Sequence, residues 1–354
     1  MPRIGYVHSW QRTQDEGWVR AALDSYGVPY TYFADQKLRD GNLRAKYDVI
    51  VLPHIGGSAI QMVNGIPKTG PAALPYKKSE KTPNLGVNDE SDDIRGGMGI
   101  EGLGELAKFV REGGTLLVEG STATIFPAFG LTSGVTVESP AGLFVRGSIM
   151  RGIISDKKSP IMYGYEGSQL PVYFNQDPVL SAGGSGLPPE FAAFLGGGGG
   201  PSQNISPMAA KQQIKPFIAD SSAPARPAAG VDDAAALLAM ARQFGLINDE
   251  ARPRVVMSFP QNPADMLLSG VLANGQGLAG KAQVVDATVG KGHVVMFAIR
   301  PFWRWQTQGT FFLGFNTLLN WNDLDAGKPE RPARGGTPVG APAAAPSTTP
   351  ARNP

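Results

Sequence analysis

His8, His54 and His293 are the only imidazoles in the chain, and there is no cysteine. Acid–base or metal chemistry would have to run through these rings, the carboxylates and the hydroxyls. No two of the histidines are close enough in sequence for a local metal pair, and neither HxxE nor HExxH occurs. His8 and His54 each stand at the end of an apolar run. If those runs are parallel strands of one sheet, both rings reach the same edge, where a nearby Asp or Glu could complete a metal site. His293 begins such a run and faces the opposite end.

Glu119-Gly120-Ser121 stands at a strand-to-helix turn suited to a nucleophile. Ser121 is flanked by Gly120 and Thr122, so the hydrolase elbow G-x-S-x-G is absent. A serine nucleophile also needs an oriented base within hydrogen-bond reach; the plainer reading is a small residue at a tight turn. The segment from Arg300 to Gln308 is the densest polar-aromatic cluster, with Arg300 and Arg304 among Trp303 and Trp305, followed by Gln306. Its guanidinium groups could clamp a carboxylate or stack in a partner interface. Alternatively, Arg300 and Arg304 pair with Asp15 and Glu16 and tie neighbouring strand ends together.

Two glycine patterns invite a nucleotide reading. Gly97-Met98-Gly99-Ile100-Glu101-Gly102 matches GxGxxG but follows a charged loop instead of a strand, so a helix entry is expected. Gly275 to Lys281 matches GxxxxGK, yet Ala282 replaces the hydroxyl residue and the context is a turn into a strand.

The elements that must position these residues alternate. Ile4 to His8 reads as a strand and Asp15 to Tyr26 as a helix, with an N-cap at Asp15 and an end at Gly27. Trp18, Val19, Ala22, Leu23 and Tyr26 recur at helical spacing along one apolar face. Strands are expected over Tyr30–Phe33 and Asp48–Pro53, a helix over Ile100–Arg111, and a strand from Thr115 to Gly120. Strand-like pieces follow at Val135–Val137, Ser148–Ile154, Val172–Phe174 and Arg254–Phe259. A helix is expected near Asp232–Phe244. The runs Gly280–Ala287 and Gly292–Ile299 form a hairpin across Val289-Gly290-Lys291-Gly292. Gly309 to Trp321 reads as a buried helix. The expected fold is an open, mostly parallel α/β sheet with helices on both faces and ligands at the strands' carboxyl ends.

One domain is expected over residues 1–325. It carries a long polar insertion at 56–99, a flexible Gly/Pro-rich stretch at 182–229, and a disordered Pro/Ala-rich tail at 326–354. Gly and Pro number 46 and 30 of the 354 residues. A net charge of +2, without a basic run, excludes a nucleic-acid partner on this reading. No apolar run reaches the ~18 residues of a membrane span. Met1-Pro2-Arg3 enters the first strand directly, so no signal peptide is expected, and such a start is compatible with a fragment of a longer chain.

The segments "RIGYVHSWQRTQDEGWVRAALDSYGVPYTY", "LRAKYDVIVLPHIGG", "GLGELAKFVREGGTLLVEG" and "VGKGHVVMFAIRPFWRWQTQGTFFLGFNTLL" resemble the class I glutamine amidotransferase-like domain. More narrowly, they resemble the version fused behind the catalytic domain of bacterial zinc carboxypeptidases of the carboxypeptidase A type. The resemblance covers roughly residues 3–150 and 253–321 and implies a flavodoxin-like fold. Amidotransferases place a cysteine where Gly120-Ser121 stands and a histidine where Arg300-Pro301 stands, so glutamine hydrolysis does not carry over. What the resemblance implies is a non-catalytic accessory domain for binding or structural support beside a metallopeptidase domain or protein, periplasmic or secreted. No cofactor is expected in this chain, zinc belonging to a peptidase domain that it lacks. The candidate crevice gathers His8, His54, Glu119, Ser121 and Arg300, with Glu16 and Trp18 from the first helix and Arg304 and Gln306 from the last loop. A small hydrolase, or a peptide- or sugar-binding module, are the alternatives.

Overall fold

A computed structural model describes residues 1–182 and 252–328. The strands are β1 (Ile4–His8), β2 (Thr31–Ala34), β3 (Val49–Leu52), β4 (Thr115–Glu119), β5 (Val135–Glu138), β6 (Phe144–Val145) and β7 (Ser148–Ile154). After them come β8 (Gln169–Phe174), β9 (Val179–Ala182), β10 (Arg254–Ser258), β11 (Leu267–Ser269), β12 (Leu272–Ala273), β13 (Ala282–Val289) and β14 (Gly292–Phe297). The helices are α1 (Gln14–Ser25), α2 (Leu43–Lys46), α3 (Ala59–Asn64), α4 (Gly99–Arg111), α5 (Ile125–Ala128) and α6 (Phe311–Leu319).

Five strands run parallel in the order β2-β1-β3-β4-β14. This is the flavodoxin-like 2-1-3-4-5 order, with β14 as the fifth strand, and the order reverses between β1 and β3. The α/β fold is thus of the flavodoxin-like type. Beyond β14 the sheet continues antiparallel through β13, β10, β7 and β11; with β8 on β7, β9 on β13 and β5 on β9 it has 12 strands among the described residues.

Strand periodicity explains why both faces are covered. Ile4 and Tyr6, Val49 and Val51, Leu117, and Val295 and Phe297 point into one core with α1 and α6. Val7, Ile50, Leu52, Leu116, Val118, Val294 and Met296 point into the other with α3, α4 and α5. Successive side chains alternate faces, so parallel strands covered on both sides read as unbroken apolar runs. The same alternation sends Glu119 to the α1 side with Leu117.

The elements depart from the sequence expectations in a few places. Asp15 is not the N-cap: α1 opens at Gln14, Thr13 flanks it without a side-chain cap bond, and Asp15 and Glu16 are both buried in the first turn. Tyr26 is 48% exposed rather than part of the buried face. In α6, Phe311, Phe315 and Leu318 are buried, whereas Phe312 and Leu319 are exposed, so the helix covers the sheet with one face only.

The GxGxxG segment enters α4 with no strand before it. Lys281 of the GxxxxGK segment, just ahead of β13, pairs with Glu138 at the end of β5 at 2.6 Å. The expected helix near 232–244, most of the 182–229 stretch and the tail beyond 328 lie outside the described residues.

Among the described residues no helix is long and apolar enough to cross a membrane. The 56–99 insertion is tied to the edge of the parallel sheet. Asp89 accepts from the Ala34 N–H at 2.7 Å and from Lys37 at 2.5 Å. Arg39 donates to the carbonyls of Gly96, Gly97 and Met98.

Candidate functional site

The carboxyl ends of β1, β3, β4 and β14 meet at one edge, and α1 starts above it. The structure divides the expected crevice residues into three groups. His8 is one: it is buried, stacks on Tyr32 with ring centroids 4.4 Å apart, and meets Asp89 Oδ2 through Nε2 at 3.0 Å. Burial pushes the Asp89 carboxyl upward, but bonds from Lys37 and His8 outweigh it and hold the group below the usual carboxylate range. The insertion therefore caps His8, and this ring is not an open crevice ligand. No spacing in the sequence links two residues 81 positions apart.

The second group sits at the periphery. Glu16 is buried beside Arg20, 3.5 Å away, so the expected pairing of Arg304 with Glu16 is not formed. Trp18 is half-buried on α1, while Arg304 and Gln306 are exposed beyond the last strand. Arg304 has no ion-pair partner among the described residues.

The third group is a buried cluster of Asp15, His54, Glu119, Ser121 and Arg300. Arg300 Nη1 lies 3.3 Å from Asp15 Oδ2, and both side chains are 7% exposed. Its Nη2 lies 2.9 Å from His54 Nε2, and its guanidinium sits 5.4 Å from the Trp303 ring centroid. The other ring nitrogen of His54, Nδ1, accepts from the Ser121 backbone N–H at 2.9 Å.

A neutral imidazole offers one acceptor nitrogen, whereas His54 faces a donor on each side. A protonated ring would have none to offer. Burial, then the Arg300 and Arg12 charges, accordingly push the His54 pKa down to about 3. Burial raises Asp15 to about 6 against the pull of Arg300. Glu119, 1% exposed, is driven well above its ordinary value by burial and then by repulsion from Asp15, with Arg300 opposing. Its Oε2 and the Arg300 Nε have no hydrogen-bond partner. The cluster therefore favours one ion pair, Asp15–Arg300, beside a proton-bearing Glu119 and a neutral His54.

Gly120 is the elbow residue, turning out of β4 with φ +56°. A Cβ built there would lie 2.5 Å from His54 Nδ1 and 3.0 Å from its Cβ and Cγ. The imidazole thus fills the space into which a side chain at the elbow would project. Ser121 follows with its hydroxyl turned away. The Oγ accepts from the backbone N–H groups of Ile55 at 3.2 Å and Gly56 at 2.7 Å. His54 does touch Ser121, but through the backbone N–H, so the contact is not that of a nucleophile with its base. Two backbone donors that could face a developing oxyanion are engaged by Ser121. The residue types at 119–121 were legible in the sequence; the positive φ that selects Gly120 over Ser121 as the elbow was not. Among the described residues no group of three or more His, Cys, Asp or Glu side chains is placed to hold a metal.

Searches against protein-family models and against curated proteins each found no match. Solved structures do match at low identity. PurLQS from Thermotoga maritima is 13% identical, with a TM-score of 0.44, over 90% of this chain and 98% of that one. A cytoplasmic protein from Salmonella typhimurium is 11% identical, with a TM-score of 0.43, over 90% and 98%. A GMP synthase-like protein from Thermoplasma acidophilum is 11% identical, with a TM-score of 0.40, over 90% and 93%.

Proposed function

We propose that the chain is a non-catalytic, amidotransferase-like binding and support module that works beside a metallopeptidase domain or protein, in the periplasm or outside the cell. One observation carries the non-catalytic part: the elbow residue is Gly120, and the space for its side chain is occupied by His54. The engagement of Ser121 Oγ by two loop N–H groups supports the same reading. The peptidase partner and the location rest on the resemblance of the segments around Asp15–Trp18 and Arg300–Phe311 alone. Zinc would belong to that partner.

The test is hydrolysis of L-glutamine and of p-nitrophenyl acetate by the whole chain. Both rates should equal the uncatalysed rate and be unchanged by Ser121→Ala. Turnover by the wild type that Ser121→Ala abolishes would overturn the non-catalytic reading. The partner is tested by sequencing the gene's surroundings and isolating the native product. A zinc carboxypeptidase domain on the same or an adjacent reading frame is expected, and its absence from both would remove that part of the proposal.

A further inference from the structure

A cavity of about 170 Å³ opens between the loop after β1 and the loop after β3, lined among others by Ser9, Gln11, Arg12, Gly56, Gln61 and Met62. The order of the parallel strands reverses between β1 and β3, and ligands of open α/β sheets bind at that switch point. An exposed cation, Arg12, stands at the cavity's rim. Arg12 has φ +52°, uncommon for a residue with a Cβ, and among the described residues no ion pair involves it.

Its guanidinium lies over the glycine loop. Nη1 is 3.1 Å from the point a Cβ on Gly56 would occupy and 3.3 Å from that on Gly57. Both glycines have positive φ, +86° and +97°, and the lack of side chains there lets the guanidinium lie close against the loop backbone. Gln61 Oε1 lies 3.0 Å from the same point above Gly57, but it already accepts from the Ser58 N–H at 3.0 Å. Arg300, the other guanidinium beside His54, is held by Asp15. One uncompensated positive charge therefore faces the cavity.

We infer that this switch-point cavity binds the carboxylate of a small organic acid, with Arg12 as its charge partner. A planar guanidinium matches a carboxylate through two parallel N–H bonds. A single cation suits a single negative charge better than a phosphate dianion, and the volume suits a small acid, not a drug-sized ligand. This inference rests on the binding role proposed above and gives it a ligand class.

The experiment titrates the whole chain with N-acetylglycine, N-acetylglycinamide and inorganic phosphate, followed by calorimetry and by amide shifts of Gly56 and Gly57. Saturable binding of the acid is expected, with binding of the amide and of phosphate weaker by about tenfold or more, the worth of one charge-assisted pair. Arg12→Gln should lose the acid by a similar factor. Gln61→Glu provides a second variant that keeps Arg12 and retains a capping-box residue three positions after Ser58. Its added carboxylate should compete for Arg12 and weaken the acid likewise, with the melting temperature preserved.

Equal binding of acid and amide, tighter binding of phosphate, no saturable binding, or wild-type affinity in folded Arg12→Gln and Gln61→Glu would each overturn the inference. A chain that binds the acid and also hydrolyses the ester loses the non-catalytic reading but keeps the anion site. A chain that does neither loses the site alone.

Discussion

Gly120→Ala isolates the feature on which the elbow's chemistry turns. A methyl group at position 120 carries two costs. A non-glycine residue at a left-handed φ such as +56° costs about 1–2 kcal/mol. The new Cβ would also stand 2.5 Å from His54 Nδ1, far inside contact distance, and 3.0 Å from the ring's Cγ and from the His54 Cβ. The ring cannot move outward freely, because Arg300 Nη2 is 2.9 Å from Nε2. Displacing it also breaks the bond from the Ser121 N–H, so overpacking adds about 1–3 kcal/mol. The substitution should therefore destabilise by about 2–5 kcal/mol in total.

Urea denaturation followed by tryptophan fluorescence reads this as a lower midpoint at unchanged slope. Gly17→Ala is the control, since a Cβ there meets nothing within 4 Å. Gly17 lies inside α1, so alanine should stabilise by up to about 1 kcal/mol. His54→Ala combined with Gly120→Ala separates the two costs. Truncating the ring removes the closest contacts, so the second substitution should then cost about 1–2 kcal/mol, the backbone share. A loss below about 1 kcal/mol for Gly120→Ala alone, or strict additivity with His54→Ala, would refute the claim that the imidazole occupies the elbow side chain's space.

The cluster's charges make further outcomes checkable. His54 titrates near 3 in the folded chain against 6.5 ordinarily, so its contribution is full above pH 6.5 and is lost as pH falls towards 3. Between pH 7 and pH 5 this should cost about 1–2 kcal/mol, read as a smaller acid loss in His54→Gln than in the wild type; equal losses would contradict it. Outside the cluster, Asp35, buried directly after β2, acts oppositely: burial raises it to about 7 from 3.8, so its contribution is full below about 4 and is lost as pH rises through 7. Asp35→Asn should therefore gain stability relative to the wild type as pH is raised from 5 to 8. Arg300→Ala leaves Asp15 buried without its partner and should cost about 3–5 kcal/mol at pH 8. The cost should shrink at pH 5, where Asp15 takes up a proton; a loss no larger than for an exposed arginine would refute the structural role. Asp89→Ala removes the acceptor for His8, Lys37 and the Ala34 N–H, so limited proteolysis should cut faster within residues 70–95 and hydrogen exchange should speed up at Ala34.

The parallel frame was legible because it obeys a local rule. Strands buried on both faces must be apolar throughout, so Val49–Leu52 and Thr115–Glu119 stand out from their neighbours. The hairpin of β13 and β14 was legible for the same reason, since its turn lies between two apolar runs. The pairing of Asp15 with Arg300 joins residues 285 positions apart, yet it too could be anticipated. Parallel topology alone brings the end of the last strand beside the helix that follows the first. What remained hidden depends on side-chain direction and on contacts with no period. Asp89 lies in a polar insertion whose composition resembles any loop, and nothing there marks it as the partner of His8. Arg12 sits in the polar stretch Gln11-Arg12-Thr13-Gln14, where nothing in the sequence marks it as lining a cavity beside the loop after β3.

The residues at the sheet edge depend on one another in a definite order. Gly120 has no side chain, so His54 can enter the elbow. Once there, His54 must stay neutral, because its two ring nitrogens face the Ser121 N–H and the Arg300 guanidinium. Arg300 in turn requires the Asp15 carboxylate, and that negative charge helps keep the proton on the buried Glu119. Each group's protonation state is thus set first by burial and then by its neighbours. A general acid or base needs a proton that moves at working pH and a path to the reacting atom. Arg12, at the rim of the same edge, is bound into none of these contacts among the described residues. A ligand can therefore engage it without dismantling the cluster.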